Sequence, residues 1–171
     1  MIIGITGKSG VGKTTYSNKI AEDNNFYVVH IDDLSHEVME CEPIRSELIK
    51  IFGNTIIKHG KIDRKYLGDL IFTNRHLYKN MSNLVWRETK HKIDSILESR
   101  KNIILDWILL PLSHYWKMCD KKILIIADED SRKEKVMLRD SISKEYLDKR
   151  DSASISYNEF DFDEIIKNTY R

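Results

Sequence analysis

The chain has 171 residues, enough for one domain with a real core and too few for two independent ones. Its 28 Lys and Arg nearly cancel its 27 Asp and Glu, for a formal charge of +1, so no global field of one sign exists to gather nucleic acid. Its longest apolar run, near Ile103 to Leu112, is interrupted by Asp106 and is too short to cross a bilayer. Cys41 and Cys119 form no metal-ligand spacing and read as reduced thiols. An apolar run beginning at Met1 leaves no room for a signal peptide, so the expectation is a cytoplasmic protein with a small-molecule substrate, no nucleic acid and no membrane.

In chain order, Met1 to Thr6 suits a buried parallel strand. Gly7-Lys8-Ser9-Gly10-Val11-Gly12-Lys13-Thr14 follows and matches G-x-x-x-x-G-K-[ST], a phosphate-binding loop. Glycines let successive backbone N–H groups converge on one anion. Lys13 supplies a mobile cation for the β- and γ-phosphates, and the Thr14 hydroxyl is placed to ligate Mg²⁺. The segment from Thr14 and Thr15 to Ala21 suits a helix whose N-terminal end adds to the anion site. Strand, glycine loop and helix in this order predict a site for ATP and Mg²⁺ lined by Gly7, Ser9, Gly10, Val11, Gly12, Lys13, Thr14 and Thr15.

Phe26 to Ile31 reads as a second buried strand with Asp32-Asp33 at its carboxyl end, where open α/β sheets bind ligands. One of these carboxylates is expected to serve substrate or metal, the other to cap a helix over Leu34 to Met39. Pro43 to Phe52 is a further helix stopped by Gly53. A connector turns at Gly60, and Asp63 is placed to cap Arg64 to Phe72. Helical spacing then runs over roughly 75–99, for a length of about 35 Å. Asn102 to Asp106 is a third strand ending in a carboxylate, and Asp106 is a candidate to support Mg²⁺ through water. Lys121 to Ala127 is a fourth strand. Residues 131–150 carry seven Lys and Arg against four acidic groups. The segment from 128 to 150 reads as a helical lid, broken near 140–143, whose arginines close on phosphates and exclude water. Residues 151–163 read as a polar loop, and Glu164 to Asn168 as a last strand.

This order of motifs resembles the dephospho-coenzyme A kinase family. The similarity lies in Gly4 to Thr15, Ile31-Asp32-Asp33-Leu34-Ser35-His36-Glu37, Gly60-Lys61-Ile62-Asp63-Arg64, Leu105-Asp106 with Ile108-Leu109-Leu110, Leu138-Arg139-Asp140 with Arg150, and Asp163 to Asn168. The resemblance implies a P-loop kinase fold: a five-stranded parallel sheet of order 2-3-1-4-5 with helices on both faces and a helical substrate and lid insertion. It implies a core over about 1–40 and 101–171, a helical acceptor-binding region over about 41–100 and a lid over about 129–150. The implied reaction is transfer of the ATP γ-phosphoryl to the ribose 3′-hydroxyl of dephospho-CoA. Asp32 then acts as base in preference to Asp33, Lys13 and Arg139 stabilise the transferred group, Thr14 and Asp106 serve Mg²⁺, and Arg150 reaches the phosphates. The chain departs from the family pattern at Trp86-Arg87, where the family carries His-Pro, at Ile108 in place of a proline, at Lys135 in place of the first lid arginine, and after the last strand, where the family carries another helix. These departures keep open an acceptor such as a nucleoside or nucleoside monophosphate, or nucleotide binding without transfer. Oligomeric state leaves no mark on the sequence.

Overall fold

A computed structural model describes residues 1–72 and 74–169. The chain divides into two units, residues 1–30 with 100–171, and residues 31–99.

The first unit is built on β1 (Ile2–Thr6), which leads through the glycine loop into α1 (Lys13–Asn24) and then β2 (Tyr27–His30). The second unit follows directly with α2 (Ile31–Glu40), α3 (Ile44–Phe52), the two-residue strands β3 (Ile57–Lys58) and β4 (Lys61–Ile62), α4 (Arg64–Phe72) and α5 (Arg75–Ser99). The chain returns to the first unit in β5 (Ile103–Asp106), β6 (Lys121–Ala127), the hairpin of α6 (Glu129–Asp140) and α7 (Lys144–Ser152), and β7 (Glu164–Asn168).

The sheet of the first unit is wholly parallel, in the order β2-β5-β1-β6-β7. Counting its own strands along the chain, this is 2-3-1-4-5, as the resemblance implies. Crossover connections between parallel strands require intervening elements on the sheet faces. Ile3 and Ile5 of β1, Ile104, Ile123 and Ile125 project onto one face, where Tyr16, Ile20 and Ala21 of α1 cover them. On the opposite face β1 presents Gly4, and the turns after β5 come so close that a Cβ there would lie 2.7 Å from the Cys119 Sγ and 3.1 Å from the Trp116 ring. Those turns are 3₁₀ segments at Leu110–Leu112 and His114–Met118. Trp116 packs edge-on against Phe162.

The second unit has its own apolar cluster: Val38 and Met39 of α2, Ile44 and Leu48 of α3, Ile56, Ile62, Leu67 of α4 and Val85 of α5. Glu40 ties three elements together, accepting from the Ile62 N–H at 2.9 Å and from Arg45 at 2.6 Å. The connector that reads as a simple turn is a hairpin through His59 and Gly60, both at positive φ, the pair of left-handed residues a tight two-residue turn demands. Asp63 does cap α4, accepting from the Tyr66 N–H at 3.0 Å. No helix among the described residues is long and apolar enough to cross a membrane.

Candidate active site

The glycine loop is clasped from two sides within the first unit. Asn168, at the end of β7, donates its side-chain amide to the Val11 carbonyl at 2.9 Å. It sits so close to Gly12 that a Cβ there would lie 2.4 Å from the Asn168 nitrogen, and Gly12 has φ of 93°; only glycine meets both demands. On the other side, Val136 of α6 occupies the space a Cβ on Gly10 would take, 2.3 Å from its Cγ2. Lys13 reaches back over the loop and donates to the carbonyls of Gly7 at 3.0 Å and Lys8 at 3.2 Å. Thr14 and Thr15 stand exposed in the first turn of α1, where backbone N–H groups lack helical partners and favour an anion.

Two arginines of the α6–α7 hairpin share one carboxylate, and one of them reaches this loop. Arg139 donates to the Ser9 hydroxyl at 3.2 Å and to both oxygens of Asp140 at 2.7 and 3.0 Å. Arg150 of α7 donates to the same Asp140 at 3.1 Å. Hydrogen bonds from Arg139 and then Arg150, working against desolvation, hold the Asp140 carboxyl below its usual range, and the bond to Asp140 raises the Arg139 pKa in turn. The Arg150 Nη2 is a buried donor with no partner among the described residues. Buried donors are almost always satisfied, so an acceptor oxygen belongs there. The break between α6 and α7 falls where the sequence reading put it: Ser141 is left-handed, and Ser143 caps α7 by accepting from the Tyr146 N–H. The second helix runs on to Ser152, two residues into the expected loop.

Asp106 ends β5, in register with Ile5 of β1 and His30 of β2. It is buried, and its Oδ2 pairs with the His30 Nδ1 at 2.9 Å and accepts from the Ser17 hydroxyl at 3.4 Å. The second His30 nitrogen meets Asn18 at 3.1 Å. Ser17 lies one helical turn beyond Lys13, and its hydroxyl also donates to the Lys13 carbonyl at 2.9 Å. No group of three or more His, Cys, Asp and Glu side chains among the described residues is arranged to hold a metal. A hydroxyl and a carboxylate flanking a phosphate loop nonetheless suit Mg²⁺, which keeps most of its water and leans on substrate phosphates.

The first unit holds every expected site residue except Asp32. That residue is the second of the second unit, and its local structure differs from the sequence expectation. The strand stops at His30 and α2 begins at Ile31, so Asp32 and Asp33 both lie inside its first turn. The expected cap ahead of Leu34 is therefore corrected: the helix has already begun at Ile31, and both carboxylates lie in its first turn, where they complement its positive end. His36 follows one turn later and pairs with Arg64 of α4. Burial first, and then the Arg64 charge, lower the His36 pKa, against the raising influence of Asp32 and Asp33. An imidazole that accepts from Arg64 stays neutral. Trp86 is half-buried and Arg87 exposed on α5.

Sequence reasoning missed His30, Ser17 and Asn168, each of which acts through a partner far along the chain, and the pairing role of Asp140, whose partners Arg139 and Arg150 are near in sequence. Arg132, expected with the other arginines of 128–150 to close on phosphates, is instead buried on the Ser9 carbonyl, Glu129 and Asp151, a pairing for which the i,i+3 spacing from Glu129 is the visible signal.

The family model described as dephospho-CoA kinase matches residues 1–169. A dephospho-CoA kinase of Fusobacterium nucleatum is 32% identical over 162 residues, covering 93% of this chain and 83% of that protein. Among solved structures, a Thermus thermophilus protein aligns with a TM-score of 0.83 at 25% identity, over 99% of this chain and 88% of the other. The dephospho-CoA kinase of Campylobacter jejuni aligns with a TM-score of 0.63 at 28% identity, over 99% and 89%. Glycine loop, sheet order and these similarities agree: the chain is an ATP-dependent P-loop kinase and belongs to the dephospho-CoA kinase family.

Proposed function

We propose that the chain, acting as a single kinase domain, transfers the γ-phosphoryl group of ATP to the ribose 3′-hydroxyl of dephospho-CoA. The new bond joins the 3′-oxygen to the γ-phosphorus, the bond to the β,γ-bridging oxygen breaks, and ADP leaves. Asp32 orients the hydroxyl and takes its proton. Lys13 and the loop amides of Gly7 to Thr15 hold the phosphates, and Arg139 and Arg150 balance charge on the group in flight. The region over about 41–100 binds the acceptor, and the α6–α7 hairpin is the lid over about 129–150. Thr14 and Asp106 are the residues that would hold Mg²⁺, directly and through water, and the ion supplies charge neutralisation at the phosphates when bound. A cytoplasmic location goes with this reading.

The observation that carries it is the gathering of donors in the first unit: Lys13 folded over its own loop, Arg139 on Ser9, and the buried Arg150 Nη2 lacking an acceptor. That set matches a polyphosphate better than any neutral ligand. The test is ADP release in a coupled assay with ATP and Mg²⁺, run with dephospho-CoA beside a panel of nucleosides and nucleoside monophosphates. Turnover with dephospho-CoA well above the ATPase background is expected. Background rates with dephospho-CoA, or preference for another acceptor on the panel, would sink the reading.

A further inference from the structure

Arg132 is the largest fully buried side chain described in the molecule, with 0% exposure. Its guanidinium spends every direction on structure. Nη1 donates to the Ser9 carbonyl of the glycine loop at 3.0 Å. Nε and Nη2 fork onto Glu129 at 3.1 and 2.7 Å. Nη2 also pairs with Asp151 in the last turn of α7. Burial alone would lower the Arg132 pKa, and the bonds to Glu129 and Asp151 reverse that and raise it. Glu129 accepts a further bond from Lys8, at 3.3 Å, so the loop is held by a second cation as well.

The residues at this face of α6 keep helical spacing. Arg132, Val136 and Arg139 recur at i, i+4 and i+7 and all meet the loop at Ser9 and Gly10. They differ in exposure: Arg132 and Val136 are buried, whereas the Arg139 side chain is 59% exposed. The first and last turns of the hairpin, Glu129 and Asp151, therefore meet on one side chain, and that side chain meets the backbone that cradles phosphate. The turn at Ser141 to Ser143 lies at the other end.

We propose that Arg132 is a positioning residue that latches both legs of the α6–α7 hairpin to the glycine loop at Ser9, fixing the shape of the phosphate cradle and confining lid movement to the end that carries Arg139, Asp140 and the Ser141 to Ser143 turn. Arg132 touches no substrate; it acts through the Ser9 carbonyl. The proposal rests on the reading of the loop as the ATP phosphate site, and its test reads nucleotide binding separately from acceptor turnover.

The experiment compares wild type with Arg132→Lys, which keeps the charge but cannot form the three-way fork, and with Asp151→Asn, which keeps the arginine and weakens one leg. The readouts are ADP affinity by calorimetry, KM for ATP and for dephospho-CoA, and amide hydrogen exchange. In Arg132→Lys, ADP affinity is expected to fall about tenfold, as for loss of a charge-assisted bond. KM for ATP rises with it, while KM for dephospho-CoA stays within about twofold. Exchange quickens at residues 8–13 and along α6, and the strands β5 and β6 keep their protection. Asp151→Asn follows the same pattern to a smaller extent, and serves alone should the lysine variant fail to fold. Unchanged ADP affinity in Asp151→Asn and in a folded Arg132→Lys would overturn the proposal, as would faster exchange spread equally over the sheet. Wild type that binds ADP without using dephospho-CoA would refute the acceptor assignment and leave the latch standing.

Discussion

Single side chains divide here into those that meet the outside and those that hold others in place. Asp32 is of the first kind in the proposed reaction: a base is needed for chemistry more than for binding. Asp32→Asn is expected to lower kcat by about 10² to 10⁴, while ATP affinity measured by calorimetry stays within about twofold of wild type. Equal loss of both would make Asp32 a binding group and not the base. The cysteines show the same division. Cys119 is buried against Gly4 and donates to the Tyr115 carbonyl at 3.2 Å. Burial pushes its thiol up to about 12, so almost no thiolate forms at neutral pH. Cys41 is exposed. A thiol reagent on the native protein should therefore titrate one group quickly and the second only in denaturant. Two fast groups would contradict the packing of Cys119 beneath the sheet.

At the scale of elements, α6 joins the loop through pairs whose strength varies with pH. The Glu129 carboxyl is held down at about 2, first by the bonds from Arg132, which outweigh desolvation, and then by the Arg132 and Lys8 charges. A carboxylate with a depressed folded pKa contributes its full stability above the ordinary glutamate range and loses it as pH falls toward the folded value. Glu129→Gln should thus be less stable than wild type in urea at pH 6, with the gap narrowing steadily below pH 5. A gap that widens in acid would reverse the assignment. Because the Glu129 side chain is 48% exposed, solvent keeps the effect modest. The hairpin of α6 and α7 was legible in advance as a charged helical segment broken near 140–143, and the structure adds its caps: Asp128 accepts from the Ser131 N–H, and Ser143 caps α7. The parallel strands were legible as apolar runs, and the loop by its glycines. The early start of α2 was not, since Ile31 continues the apolar run of β2 and nothing at that residue marks the end of a strand. The β3–β4 hairpin escaped notice because two-residue strands carry no period. The anchoring of Ser9 by Arg132 escaped because charged helices ordinarily face water, and only the carboxylates of Glu129 and Asp151 make burial tolerable.

For the whole molecule, ligand binding is a term in folding stability. A nucleotide that binds only the folded chain adds about 2.7 kcal/mol at a hundredfold excess over its Kd, and a domain of this size gains roughly 2–4 °C per kcal/mol. ATP should raise the melting temperature by about 5–10 °C, and Lys13→Met should reduce that shift sharply. An equal shift in the variant would place the nucleotide elsewhere. The clasp on the loop also has a temporal side. Asn168 secures the carbonyl of Val11, a residue 157 positions earlier in the chain. A ribosome therefore extrudes the anion-binding turn long before it makes the amide that pins it. During synthesis the nascent polypeptide displays a half-braced phosphate nest, and only translation through the last strand completes it.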